Sequence, residues 1–429
     1  MFFIPYYILI LLITIVIDYY AGILIEKAEG QKKKRYLLIS IISTCLVLFV
    51  FKYYNFFIGN FNAIAQLIDW NYSVTSLSII LPIGLSFHTF QSLSYVIEVY
   101  RGNQKAEKHF GIYSLYVMYY PQLVAGPIER PQNLLYQFHR ENKFKYQHFY
   151  NGLRYMIYGF FMKLVVADRL AIYVDTVYNN ADKHSGLSLA VATVFFAFQI
   201  YCDFAGYSAI AIGASRIMGI RLMTNFRRPY LSSSIGEFWR RWHISLSTWF
   251  KDYVFISLGG SRISNPFRVA LNFMITFIIS GLWHGANWTF IMWGALNGLY
   301  LIIERAFRNI TTYTKRIPLL FKSAYVFILI SISWIFFRSR SIHEAFFILK
   351  RSLSLDGKLF LPPDPEIFIS CIIAVVLIIS FEILYEQVYK KRYVRFNYVS
   401  FNQAFLVFLL FCILLFGVFD GGQFIYFQF

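Results

Sequence analysis

Apolar runs, each about as long as a bilayer is thick, alternate along the chain with short polar segments. Phe2 to Ile25 is apolar apart from Asp18, and further runs lie near 36–58, 76–99, 150–167, 187–213, 267–284, 286–304, 319–337, 366–385 and 403–420. Crossing a hydrocarbon core as a helix takes about 20 apolar residues. The pattern therefore predicts an all-α polytopic membrane protein of about ten transmembrane helices. The first run has no basic segment before it and no small-x-small cleavage pattern after it, so it is expected to be a retained helix and not a signal peptide. Segment 111–127 is also apolar, but Pro121 and Pro127 interrupt it. It is expected to re-enter the protein without crossing, since irregular backbone at membrane depth must be buried in protein. No internal repeat or low-complexity linker is visible, and 1–429 reads as one membrane-embedded domain.

Composition sharpens this picture. Hydrophobic residues make up 58% of the chain and charged ones only 14%, far from the roughly 25% charged residues of a soluble domain. Disorder is excluded by the same numbers, because it requires low hydrophobicity and high charge. The net charge of +18 raises the question of nucleic acid, but most of the 40 Lys and Arg fall in the polar segments between apolar runs. That distribution is a positive-inside bias, so no nucleic-acid partner is expected and the bilayer is. Segment 26–35 carries five Lys and Arg and 59–73 none; 101–109, 128–149, 214–266, 305–318 and 386–395 are basic. With ten spans, the alternation puts both termini outside the cytoplasm. Segment 338–358 has five basic residues yet falls on the outer side; Ile342, Phe346, Leu349 and Leu353 recur at helical spacing, which predicts an amphipathic helix lying on that surface. Cys45, Cys202, Cys371 and Cys412 stand singly in apolar runs, with no CxxC pair to suggest a metal or a disulfide framework.

The long segment 214–266 is the most informative polar stretch. Ser234–Ile235–Gly236–Glu237 has the form of a capping box, so a helix is expected to start there. Phe238, Trp239, Trp242, Leu246, Trp249, Phe250 and Tyr253 follow at three- and four-residue intervals and form one apolar face. Arg240, Ser247 and Lys251 lie opposite, Arg241 and Asp252 flank the other edge, and His243 falls at the margin. One amphipathic helix dipping into the cytoplasmic side of the membrane is the expectation.

Eight histidines are candidates for chemistry. His109, His139, His148, His184 and His343 have charged or loop neighbours and read as surface residues. His88 lies within an apolar run and reads as a cross-helix hydrogen-bonding group. His284 sits in Ser280–Gly281–Leu282–Trp283–His284–Gly285–Ala286–Asn287–Trp288, between two apolar runs. An ionisable group at that depth is costly and by default marks a site; the competing reading is a packing histidine at a tight helix junction. Neighbouring glycines allow close backbone approach, and Trp283 and Trp288 offer flat walls with indole donors. A neutral imidazole can take a proton from a hydroxyl as its oxygen attacks a carbonyl. There is no Gly-x-Ser-x-Gly elbow, HExxH, Walker A or dinucleotide-binding glycine pattern. Proton relay in a transporter and acyl transfer with a histidine base remain as the two physical classes.

Five stretches resemble the membrane-bound O-acyltransferase superfamily, in its bacterial branch of alginate and peptidoglycan O-acetyltransferase membrane subunits. They are LPIGLSFHTFQSLSYVIEVYRG (81–102), PQLVAGPIERP (121–131), FQIYCDFAGYSAIAIG (198–213), SIGEFWRRWHISLSTWFKDYVFISLGGSR (234–262) and GLWHGANWTFIMWGALNGLYL (281–301). The best-matched core is 80–305, and the teichoic-acid D-alanyl transferases are more distant cousins. The resemblance implies helices around a central tunnel, with His284 catalytic and His243, in RRWHISLS, a second functional histidine. Ala209 stands where relatives commonly carry Asp after Gly-Tyr-Ser, while Asp203 is kept. The tail 421–429 contains Phe424–Ile425–Tyr426–Phe427–Gln428–Phe429, which fits the family's F-x-Y-x-x-F ending and implies that Tyr426 accepts the acyl group.

The implied mechanism uses no bound cofactor. Acetyl-CoA or another acyl thioester is the donor substrate. Its phosphates would meet Arg227, Arg228, Arg240 and Arg241, since guanidinium forks suit phosphate, although the same arginines would serve equally as anionic-lipid anchors. Trp242 and Asp203 would complete the substrate-binding set. Asn287 or backbone N–H groups would stabilise the oxyanion, and His284 would activate the hydroxyl of Tyr426. An SGNH-type acetyltransferase or another acyl-accepting protein outside would place the group on alginate-like polymer, cellulose or peptidoglycan. D-alanyl transfer to teichoic acid, a glycan or lipid transporter with His284 and Asp203 as relay groups, and an inactive scaffold are the alternatives.

Overall fold

The computed structural model describes residues 7–79, 82, 84–123, 126–307, 317–390 and 398–419. All regular structure among them is helical. Six helices are long and apolar enough to cross a membrane: Tyr7–Lys27, Gly30–Leu67, Gly186–Ile217, Pro266–His284, Leu319–Arg338 and Pro365–Glu386. The protein is an all-α polytopic membrane protein. The elements divide into two compact units, one of residues up to Phe149 with Ser215–Met223, the other of Tyr150–Ala214 with Thr224 onward.

In the first unit, α1 (Tyr7–Lys27), α2 (Gly30–Leu48) and α4 (Leu85–Arg101) pack together. A π-helical turn, Phe49–Tyr53, carries α2 on into α3 (Tyr54–Leu67). Polar groups at membrane depth are met across helices. Asp18 of α1 accepts from Ser40 Oγ at 2.6 Å and Thr44 Oγ1 at 3.0 Å. His88 Nε2 lies 2.8 Å from Thr14 Oγ1, the cross-helix hydrogen bond read from its setting. Gly22 lets the Tyr95 ring in so close that a Cβ would stand 2.6 Å from it. The expected span 76–99 begins later than the apolar run suggests, because helix starts only at Leu85, after Gly84 in a left-handed conformation. This α4 carries Ser86, His88, Thr89, Gln91, Ser92 and Ser94, and 13 of its 17 residues are buried, so protein and not lipid surrounds it. In the broken stretch 111–127, α5 (Phe110–Val117) gives way to turns.

The second unit begins at Tyr150, inside a continuous helical run. Here α7 (Tyr146–Phe160) passes through a π-helical stretch, Phe161–Ala167, into α8 (Asp168–Tyr178). Against it lies α9 (Gly186–Ile217), whose 32 residues make it about 48 Å long at 1.5 Å per residue. The two backbones meet at glycines: a Cβ at Gly159 would stand 2.6 Å from the Gly206 carbonyl, and one at Gly213 2.5 Å from that of Gly152.

A tight hairpin follows. Asn265 caps α12 (Pro266–His284) by accepting from Phe267 N and Arg268 N, with Pro266 in the first turn where its missing N–H costs nothing. Asn287 caps α13 (Trp288–Ala306) by accepting from Thr289 N. A Cβ at Gly281 would lie 2.2 Å from the Phe290 carbonyl, and one at Gly294 2.2 Å from that of Phe277. Small residues permit this approach, as they do in membrane helix pairs generally. Gly294→Ala is expected to destabilise by about 1–3 kcal/mol through overpacking, whereas Gly298→Ala, whose Cβ would meet only ordinary 3.4 Å contacts, should be nearly neutral. Thermal unfolding of the two variants in detergent checks the contrast.

The chain then forms α14 (Leu319–Arg338), α15 (Ile342–Ser354), α16 (Pro365–Lys390) and α17 (Tyr398–Phe416). The amphipathic helix expected in 338–358 is α15, capped by Ser341, which accepts from Glu344 N. Its packed stripe runs through Ala345 and Ile348, which leaves Phe346 49% and Leu353 69% exposed, so the buried face is rotated from the expected one.

Candidate active site

His284 is the last residue of α12 and only 6% exposed. The chain turns out of the helix at Gly285, where any Cβ would stand 2.1 Å from the Phe290 ring, so a glycine is required for the turn to close. Three aromatic rings present edges or faces to the imidazole: Trp283 at 5.0 Å, Trp293 at 5.0 Å and Phe337 of α14 at 5.3 Å. Trp293 in turn stacks on Trp334 at 5.8 Å, and Trp334 lies 5.0 Å from Trp242. The Trp334 indole donates to Tyr230 Oη at 3.2 Å. The Trp293 indole nitrogen is buried and has no partner among the described residues. A ring N–H of this kind, next to the imidazole, is a donor suited to developing negative charge in a water-poor site. The sequence reading passed over Trp293; its place one helical turn and a half beyond the His284 turn was the available signal.

The segment around His243 differs from the single helix expected. Ser234 caps α10 (Ile235–Arg241), its hydroxyl accepting from Glu237 N at 3.1 Å, as the capping box requires. Glu237 reaches back to Ser233, whose N and Oγ donate at 2.8 and 2.6 Å. The α10 N-terminus also seats on Glu304 of α13, which accepts from Ile235 N at 2.5 Å and Gly236 N at 3.1 Å. The helix then breaks. Trp242 is extended and His243 adopts a left-handed backbone (φ 40, ψ 56) before α11 (Ile244–Phe250) and a π-helical turn, Lys251–Phe255. Backbone bonds to the passing segment 225–227 replace the missing helical ones: Arg227 N donates to Arg241 O at 2.9 Å and Ile244 N to Asn225 O at 2.8 Å. Non-glycine residues in this region cost about 1–3 kcal/mol each and persist where the surroundings hold them; Arg228 (φ 47) is a second case in the same segment.

His243 is therefore not at the margin of an apolar face but 1% exposed. Phe204 meets its ring at 4.5 Å and Phe226 at 6.1 Å, and Phe226 also contacts Trp242 at 5.1 Å. Burial lowers the imidazole pKa to about 3, so the ring is neutral at physiological pH. Of the expected apolar face, Phe238, Trp242, Leu246, Trp249, Phe250 and Tyr253 are buried and Trp239 is half-buried.

The four arginines separate into two kinds. Arg228 Nε pairs with Glu386 of α16 at 2.5 Å, and Arg241 Nη2 with Glu237 at 2.6 Å and Glu386 at 3.3 Å. Arg227 and Arg240 are exposed. Asn287 accepts from Thr289 N at 3.0 Å and donates its amide to Arg340 O at 3.0 Å, and Trp288 is 53% exposed. Asp203 is 2% exposed and pairs with Lys163 Nζ at 2.6 Å; the same ammonium meets Asp168 at 2.7 Å. Lys163 and Glu382 went unnoticed in the sequence, although charges inside apolar runs are themselves a signal, and so did Glu386, just past the end of the 366–385 run. Glu382 is 5% exposed and accepts from Tyr201 Oη. Tyr426 lies outside the described residues.

Among the described residues His88, His243 and His284 are all buried, and His284 stands out by its aromatic surroundings at the end of a glycine-tight hairpin in a membrane protein. Residues 109–339 match the membrane-bound O-acyltransferase family. The chain is 41% identical to the probable alginate O-acetylase AlgI of Azotobacter vinelandii over 333 residues, 77% of this chain and 65% of that protein. It is 34% identical to the peptidoglycan O-acetyltransferase of Helicobacter pylori over 379 residues, 82% of this chain and 71% of that one. A more distant relative is the teichoic acid D-alanyltransferase of Streptococcus thermophilus, 31% identical over 245 residues, 52% of this chain and 57% of that protein. The match spans just under two thirds of the Azotobacter relative's length. This chain is a member of the membrane-bound O-acyltransferase family.

Proposed function

We propose that the chain is an O-acyltransferase that moves an acyl group, acetyl in the first instance, from a cytosolic thioester across the bacterial cytoplasmic membrane for O-acetylation of an extracytoplasmic polysaccharide. The observation that carries this reading is His284, an imidazole held by Trp283, Trp293 and Phe337 at the end of α12, in a chain of this family. The imidazole takes the proton of an attacking hydroxyl while that oxygen adds to the thioester carbonyl; the thiol leaves and the acyl oxygen ester remains. Trp293 Nε1 is the donor assigned to the oxyanion. The aromatic enclosure excludes water, which matters because hydrolysis would otherwise waste the thioester. His243 is assigned as the second functional imidazole, on the donor's side. Exposed Arg227 and Arg240 are assigned to the phosphates of the donor, since Arg228 and Arg241 are already engaged by Glu386. Tyr426 is the acceptor implied by the resemblance, and an SGNH-type acetyltransferase outside is the partner that would take the group onward. Names of the relatives support alginate-like polymer or peptidoglycan as the final acceptor.

The test is thiol release from acetyl-CoA by the protein reconstituted in vesicles, followed by mass spectrometry of the peptide containing Tyr426. Protein-dependent thiol release and a 421–429 peptide heavier by one acetyl group are expected. Turnover only with a D-alanyl carrier would move the chain to the teichoic-acid branch, and no thioester turnover with either donor would overturn the reading. Normal polymer acetylation by Tyr426→Phe would remove the relay and leave direct acceptor access.

A further inference from the structure

We infer that Asn225 is a positioning residue for His243: its side-chain carbonyl fixes the imidazole with the proton on Nδ1 and leaves Nε2 as a bare lone pair facing the protein interior. Nothing in the sequence singled this asparagine out. The inference rests on the reading of His243 as a functional imidazole only for its consequence in turnover, not for the tautomer itself.

Three contacts converge on one atom. Asn225 Oδ1 accepts from Ser245 N at 3.1 Å and from Ser245 Oγ at 2.9 Å, and lies 3.2 Å from His243 Nδ1. A backbone N–H can only donate, so the atom facing Ser245 N must be the amide oxygen and not the nitrogen. That oxygen has no proton to give. The hydrogen bond to His243 Nδ1 therefore requires the ring to supply the proton, and a neutral imidazole with Nδ1–H has its lone pair on Nε2. The other end of the amide is anchored as well, with Nδ2 donating to Ser208 Oγ of α9 at 3.2 Å. Asn225 is 1% exposed, so water does not compete for these positions.

His243 Nε2 is buried and has no hydrogen-bond partner among the described residues. Leaving such an acceptor unmet costs the desolvation of a polar atom, and the left-handed backbone of His243 adds its own cost. Asn225 offsets both by gripping the turn twice, through its side chain and through its carbonyl, which accepts from Ile244 N at 2.8 Å. An arrangement that holds a lone pair bare, against two costs, is suited to receiving a proton or a polar group from a substrate.

Charged groups on the packed elements are occupied elsewhere. Arg228 and Arg241 pair with Glu386, Arg241 also with Glu237, Lys163 with Asp203 and Asp168, and Glu382 with Tyr201. Burial alone lowers the ring's affinity for a second proton, opposed only by its own backbone carbonyl. Tautomer and charge are thus set by Asn225 and by desolvation.

The experiment is nitrogen NMR of the full chain in detergent with labelled histidine, His243 being assigned by the signal lost in His243→Gln. At neutral pH a protonated Nδ1 and a bare Nε2 are expected; a protonated Nε2, or a rapidly exchanging mixture, overturns the inference. In Asn225→Asp, a carboxylate accepts the same bonds but adds negative charge beside Nδ1, which favours imidazolium. The pH at which His243 titrates should then rise by at least one unit, and the acidic limb of acyl turnover should move upward with it. A profile in Asn225→Asp that is merely lower, with its limb and the His243 titration unmoved, shows a packing residue and also overturns the inference. Should the parent protein show no acyl turnover at all, the proposed function fails while the NMR still decides the tautomer.

Discussion

Replacing His284 with alanine is expected to reduce acyl turnover by about 10²–10⁴-fold, the usual contribution of a general base, with the helices intact. The imidazole packs against the rings of Trp283, Trp293 and Phe337, so its loss opens a pocket beside Trp293. Thiol release measures the first effect, and circular dichroism with detergent thermal unfolding the second. Turnover within a few-fold of the parent would return His284 to a packing role at the helix junction. A transporter using His284 as a relay predicts lost flux with no thioester chemistry to lose.

The largest effect on stability is expected from Lys163→Met. Its ammonium lies between Asp203 and Asp168, both nearly buried, at 2.6 and 2.7 Å. Removing one partner of a buried pair costs about 3–5 kcal/mol, because the remaining charges lose their compensation while staying out of water. Here two carboxylates are left, within a π-helical stretch that wide turns already make less regular. A lower unfolding midpoint and greater protease sensitivity should follow. Adding Asp203→Asn and Asp168→Asn to Lys163→Met should recover most of the loss, since an uncharged cluster needs no counter-ion. Failure of that rescue would mean that the Lys163 stem, not its charge, holds α7 and α8 against α9.

Much of this was legible in the sequence, and the exceptions have physical reasons. Apolar run length gave the helical membrane class, and the Ser234 cap is where the capping box put it. The first apolar run is helix Tyr7–Lys27, and the glycines flanking His284 do admit close backbone contact. The break at His243 was hidden because no glycine or proline punctuates Arg241–Ile244. What turns the chain there is Asn225, far off in sequence. Helix α4 was set too early because an apolar run does not announce a left-handed glycine start, and its polar residues are covered by neighbouring helices and not by lipid. Lys163–Asp203 and Arg228–Glu386 are separated by 40 or more residues; periodicity reports on one helix at a time and cannot pair them. The rotation of α15 has the same origin, since which of two adjacent apolar stripes is covered depends on the neighbour and not on the helix.

Helix α13 begins just past His284, lays Trp293 against that imidazole and, 16 residues after its start, supplies the Glu304 carboxylate on which α10 rests. Over about 24 Å, at 1.5 Å rise per residue, one helix thus links the packing of the His284 ring to the seat of α10, the helix that ends just before His243. A substitution that tilts α13 is therefore expected to disturb the surroundings of both His284 and His243.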